Sequence, residues 1–118
     1  MNVVLLSGDL MAISRLQGAA SQIAAKLLTA TNAEQAIAFC SDESVESVVI
    51  DLTTPGLEIG PLLQSLRHGE IAAPKVVAFA PHVHEERLAA AQAAGCDEVV
   101  SRGQFFTQIE AILGRQAK

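Results

Sequence analysis

Val48-Val49-Ile50-Asp51-Leu52-Thr53-Thr54-Pro55-Gly56 decides the fold. Its β-branched run does not alternate with polar residues, which is the pattern of a strand covered on both faces. The run stops on an acid, and Thr-Thr-Pro-Gly after it is turn chemistry. A strand that ends this way carries a carboxylate to the edge of a sheet. Outward from it, the apolar run 45–50 has four counterparts at nearly even spacing, at 3–6, 26–30, 75–80 and 98–101.

The segments between these runs have helical spacing. Ile13, Leu16, Ala20 and Ile23 step by three or four residues, as do Ala33, Ile37 and Cys40. Leu62, Leu63 and Leu66 form a third stripe, and Leu88, Ala91 and Gly95 mark a fourth, alanine-rich helix. Phe105, Ile109, Ile112 and Leu113 form the last. Punctuation agrees: Asn32 is a candidate N-cap with Gln35 as its capping-box partner. Pro61 suits a first helical turn, and Gly69 and Gly95 stand where helices should stop. Strands alternating with helices five times predict a parallel sheet with right-handed crossovers and helices on both faces. The expected class is an α/β, flavodoxin-like, doubly wound five-stranded sheet of order 2-1-3-4-5, in one domain spanning 1–118.

Composition narrows the function. The chain has 118 residues, half of them hydrophobic, enough for a core without disulfides or metal. Thirteen acids against eight bases give a formal charge of −5, and there is neither Trp nor Tyr, which argues against nucleic-acid binding. Two distant cysteines, Cys40 and Cys96, read as reduced, packed thiols. No apolar run approaches the ~20 residues of a membrane span, and the N-terminus lacks the basic flank of a signal peptide. A soluble cytoplasmic protein is the expectation.

In a doubly wound sheet, ligands bind where the strands end, near the topological switch point. Those ends carry Ser7-Gly8-Asp9, Asp51 to Gly56, Phe79-Ala80-Pro81 and Ser101-Arg102-Gly103. At this point a resemblance becomes visible. Asp51 followed four residues later by Pro55 and then Gly56 resembles the phosphoacceptor strand and loop of response-regulator receiver domains. Ala94-Gly95-Cys96-Asp97-Glu98 resembles the Gly-Ala-Asp-Asp segment that precedes their fifth strand. The likeness covers essentially the whole chain.

The resemblance implies a phosphoryl group on Asp51, a magnesium ion held by Asp51 and an acidic pair after the first strand, and a hydroxyl at the end of the fourth. Hard oxygen ligands around Mg²⁺ would offset the repulsion between carboxylate and phosphoryl group. This chain departs from that pattern. Ser7 and Gly8 stand in place of the acidic pair, and Ala80 in place of the hydroxyl. Asp9 lies one residue beyond the pair and reads as the cap of the first helix. Arg102-Gly103 replaces the family's Lys-Pro, and its planar guanidinium suits a bidentate pair with Asp51.

The resulting expectation is a pseudo-receiver without a cofactor, acting through protein–protein contact, with a histidine kinase or a downstream signalling protein as the kind of partner. One alternative is a genuine phosphoacceptor at Asp51 with Mg²⁺ on Asp9 and Asp51. A second is flavin-type ligand binding on the same fold, though the chain has neither Trp nor Tyr to flank a flavin. No nucleotide-binding or nucleophile-elbow motif occurs, so no enzyme is expected. Thr53 and Thr54 are candidate donors to an anion near Asp51. His82 and His84 lack a third metal ligand. The family's interaction face maps to 84–114, where one of Phe105 and Phe106 should enter the core and the other is a candidate partner anchor.

Overall fold

The computed structural model describes residues 1–67 and 73–116, without the side chains of Arg115 and Gln116. Chain order is β1 (Asn2–Leu6), α1 (Leu10–Gln22), β2 (Lys26–Ala30), α2 (Ala33–Asp42), β3 (Ser47–Asp51), α3 (Ile59–Leu66), β4 (Lys75–Ala80), α4 (Glu85–Ala94), β5 (Glu98–Ser101), α5 (Arg102–Thr107) and α6 (Ile109–Gln116). The strands form one parallel sheet of order β2-β1-β3-β4-β5. That is the flavodoxin-like order expected from the alternation of runs. Gly69, expected to stop the third helix, lies outside the described residues.

Period-two alternation divides each central strand between two cores. Val4, Leu6, Val48, Ile50, Val76, Ala78 and Ala80 face one core, which α2, α3 and α4 cover. Val3, Leu5, Val49, Val77 and Phe79 face the other, which α1, α5 and α6 cover. This two-sided burial is why the runs read as continuous rather than alternating. The edge strands β2 and β5 are mostly half-buried, because each has a neighbour on one side only.

The helix ends explain the element boundaries. Asp9 caps α1, accepting from the Met11 amide at 3.0 Å. Asn32 caps α2, accepting from the Gln35 amide at 2.9 Å. The expected capping box closes one residue early, since the Gln35 carboxamide oxygen accepts from the Thr31 amide at 2.8 Å. α1 and α4 end alike, with a left-handed residue after the last turn. At α4 it is Gly95 (φ 96°), but at α1 it is Ala24 (φ 54°). An alanine there costs roughly 1 kcal/mol.

The single last helix expected from its apolar stripe is two helices. Gln108 leaves helical geometry at φ −129°, ψ 24°. The Thr107 hydroxyl donates back to the carbonyls of Gly103 and Gln104, both at 3.1 Å, and favours this break.

Candidate functional site

Parallel register builds the site. Leu6 pairs with Ile50, so the next residues, Ser7 and Asp51, emerge side by side on one face of the sheet. Both are buried, Asp51 being only 2% exposed. The Ser7 hydroxyl donates to Asp51 Oδ2 at 2.8 Å and accepts from the Asp9 amide at 3.1 Å. The other carboxylate oxygen, Oδ1, accepts from the Thr53 amide at 3.0 Å and the Thr53 hydroxyl at 2.6 Å. The Thr54 hydroxyl and amide both donate to the Asp51 carbonyl, at 2.7 and 3.1 Å. Gly56 then takes φ 76°, a turn conformation that suits glycine. Asp51 is thus held by neutral donors from its own loop and from the neighbouring strand.

Arg102 does not pair with Asp51, which corrects the sequence expectation. Its guanidinium donates to Asp9 Oδ2 in a partly buried ion pair. The reason is geometric. Ser101 caps α5 by accepting from the Gln104 amide at 3.1 Å, so Arg102 is the first helical residue. Its guanidinium carbon lies over the Phe106 ring, 4.7 Å from the centroid. Arg15 lies over the same ring at 5.0 Å. From there Arg102 meets the start of α1, while the Asp51 oxygens are already taken. The Arg102 hydrogen bond holds the Asp9 carboxyl below its usual range, against the opposing effect of desolvation. Asp9 is the helix cap expected from sequence, and it is also half of an ion pair spanning the mouth.

The remaining expected residues fall around this centre. Gly8 is exposed, and Pro55 sits in the β3–α3 turn. Ala80 is buried at the end of β4, on the opposite face from Asp51 by alternation. Phe105 enters the core and stacks on Phe79 with centroids 4.7 Å apart. Phe106 is half-buried and packs on the same cluster beneath the two arginines. Among the described residues, no group of three or more His, Cys, Asp or Glu side chains is placed to hold a metal. Cys40 and Cys96 are both free, half-buried thiols, and burial pushes each up to about 11.

Besides the Arg102–Asp9 pair, two further contacts at the site were not foreseen from the sequence. One is the Ser7–Asp51 hydrogen bond, which the strand register would have disclosed once Leu6 was set opposite Ile50. The other is Arg87 on α4, which donates to the Leu52 carbonyl at 2.8 Å. Nothing in its local sequence marks it.

Solved structures similar to this one include receiver domains. A response-regulator receiver domain from Bermanella marisrubri matches with a TM-score of 0.83 at 16% identity, over 99% of this chain and 98% of that one. The receiver domain of a sensor histidine kinase from Pseudomonas aeruginosa, with a magnesium ion coordinated in its active-site cleft, matches with a TM-score of 0.82 at 13% identity, over 98% and 96%. The receiver domain of the TMAO respiratory response regulator TorR gives 0.78 at 15%, over 97% of both chains. No protein-family model matches the chain, and no curated protein matches it. The fold is that of response-regulator receiver domains.

The side chains present do not fit a magnesium ion of the kind coordinated in the Pseudomonas domain. A hard divalent cation wants several anionic or carbonyl oxygens. Among the described residues Asp51 is the sole buried carboxylate at the mouth, and both its oxygens already accept hydrogen bonds. Asp9, the other carboxylate, is paired with Arg102. Among the described residues, no helix is long and apolar enough to cross a membrane.

Proposed function

We propose that this chain is a non-enzymatic receiver-like signalling module that works by protein–protein binding, with its conventional metal-assisted phosphorylation lost. The observation that carries this reading is the state of Asp51. Its carboxylate accepts from the Ser7 hydroxyl and from the Thr53 amide and hydroxyl. Phosphoryl transfer would have to break these bonds and bring two anions together without the cation that offsets their repulsion. Two further features support it: Ala80, packed into the opposite core, brings no hydroxyl toward Asp51, and Arg102 is committed to Asp9. The partner would be a protein, either a histidine kinase or a downstream signalling component.

Amide NMR in the presence of beryllofluoride and Mg²⁺ tests this reading. The expected spectrum is unchanged around Asp51 and Ala80. Clear, saturable shifts there would overturn it and establish phosphoacceptance instead. That rival draws on one observation, the placement of Asp51 at the end of the central strand β3. It requires that Asp51→Asn abolish labelling by a small phosphodonor.

A further inference from the structure

A second concavity lies beside the Asp51 network, between the β3–α3 loop and α4. It is a cleft of about 570 Å³. That is within the range of about 300–1,000 Å³ typical of small-molecule sites. Its walls are mainly apolar, with Leu52, Pro55, Leu57, Ile59 and Ala90 among them. Arg87 is the sole charged residue lining it. Among the described residues Arg87 forms no ion pair. One guanidinium nitrogen, Nη1, is anchored on the Leu52 carbonyl at 2.8 Å. The hydroxyls of Thr53 and Thr54, which also line the cleft, donate to Asp51.

Each of these facts constrains an occupant. With no carboxylate in the lining, a cationic ligand has no partner. With both threonine hydroxyls donating elsewhere, the side-chain donors left for a ligand are those of Arg87. A guanidinium has five N–H donors and favours planar carboxylates. Anchoring one nitrogen orients the head before a ligand arrives, which lowers the ordering cost of binding. The wall is preset as well, because the Thr54 and Leu57 amides close successive turns on the carbonyls of Asp51 and Thr54, at 3.1 and 3.2 Å.

We infer that this cleft is a binding site for a small organic carboxylate with an apolar body, its carboxylate on Arg87 and its hydrocarbon against Leu57, Ile59 and Ala90. The site stands independently of whether Asp51 accepts a phosphoryl group. It shares Thr53 with the Asp51 network, so an occupant is felt at the Asp51 carboxylate.

The test uses the whole chain, hexanoate as the probe and hexanol as its uncharged counterpart, followed by amide NMR. Hexanoate should shift the amides of Thr53, Gly56, Leu57 and Ala90 saturably. Hexanol should bind at least about tenfold more weakly, as befits loss of a charge-assisted hydrogen bond. Arg87→Gln should weaken hexanoate to the level of hexanol, and Ala90→Trp, which fills the cleft from an exposed helix position, should abolish binding of both. Equal affinity for hexanol and hexanoate, an unaffected Arg87→Gln variant, or shifts that do not saturate would each overturn the inference.

Discussion

Two carboxylates stand at the mouth of this sheet, and the protein treats them in opposite ways. Asp51 is almost wholly buried and held by neutral donors. Asp9 is about one-third exposed and receives the cation. Simple electrostatics would send the guanidinium to the buried charge, where the local dielectric is low and pairing strongest. The register of β1 and β3 decides otherwise, because it seats a serine hydroxyl on Asp51, while Arg102 opens α5 beside the start of α1. The difference teaches that a buried carboxyl group can be satisfied by geometry alone. Satisfied hydrogen bonds, rather than a counter-ion, replace the water it has lost.

The comparison can be broken from the Asp51 side first, where the largest effect is expected. Ser7→Ala leaves Oδ2 buried without its donor and should destabilise the fold by about 2 kcal/mol in urea unfolding. A value near zero would mean that water or another donor reaches Asp51 freely. Thr53→Val keeps the shape and the amide but deletes the 2.6 Å hydroxyl bond. About 1 kcal/mol is expected, less than for Ser7 because the Thr53 amide still serves Oδ1. Reversal of that order would show that the loop, not the strand register, holds the carboxylate.

The Asp9 side should respond more weakly and with a pH signature. Asp9→Asn keeps a good N-cap and removes the ion pair, so roughly 0.5 kcal/mol is expected at pH 7 and low salt, shrinking as salt is added. The pair holds the folded-state pKa of Asp9 below its ordinary value. Its contribution is therefore complete above the ordinary carboxyl range of about 4, and vanishes as pH falls through the lowered folded value. Wild type and Asp9→Asn should accordingly converge on acidification. A gap that persists or widens at low pH would contradict the assigned pair. The Ser7→Ala deficit should depend little on salt, which separates the two carboxylates in a single experiment.

The architecture was legible because each strand run is bounded by turn or cap chemistry. The run ending in Asp51 and the caps Asp9 and Asn32 are local signals, and the structure places them as read. The site was only half legible. Its residues were identifiable from the strand ends, but their pairing was not, since Arg102 and Asp9 are separated by 93 positions. Charge complementarity suggested Asp51, and the start of α5 at Arg102 directed the side chain elsewhere. The break at Gln108 was hidden for a different reason: the apolar stripe of Phe105, Ile109, Ile112 and Leu113 continues across it, and only a backbone-directed threonine hydroxyl marks the interruption.

The strand order has a consequence for how copies of this chain meet one another. It leaves two open edges, β2 and β5, each carrying backbone groups able to template a foreign strand. β5 is four residues long and begins at Glu98, while β2 begins at exposed Lys26, whose ammonium pairs with Glu43 at 3.2 Å. Short edges headed by charge resist sheet-to-sheet addition. A chain that is half hydrophobic, with its strongest β-forming runs in β1, β3 and β4, keeps those runs in the middle of the sheet. The 2-1-3-4-5 order therefore acts as colloidal protection as well as a scaffold for the mouth.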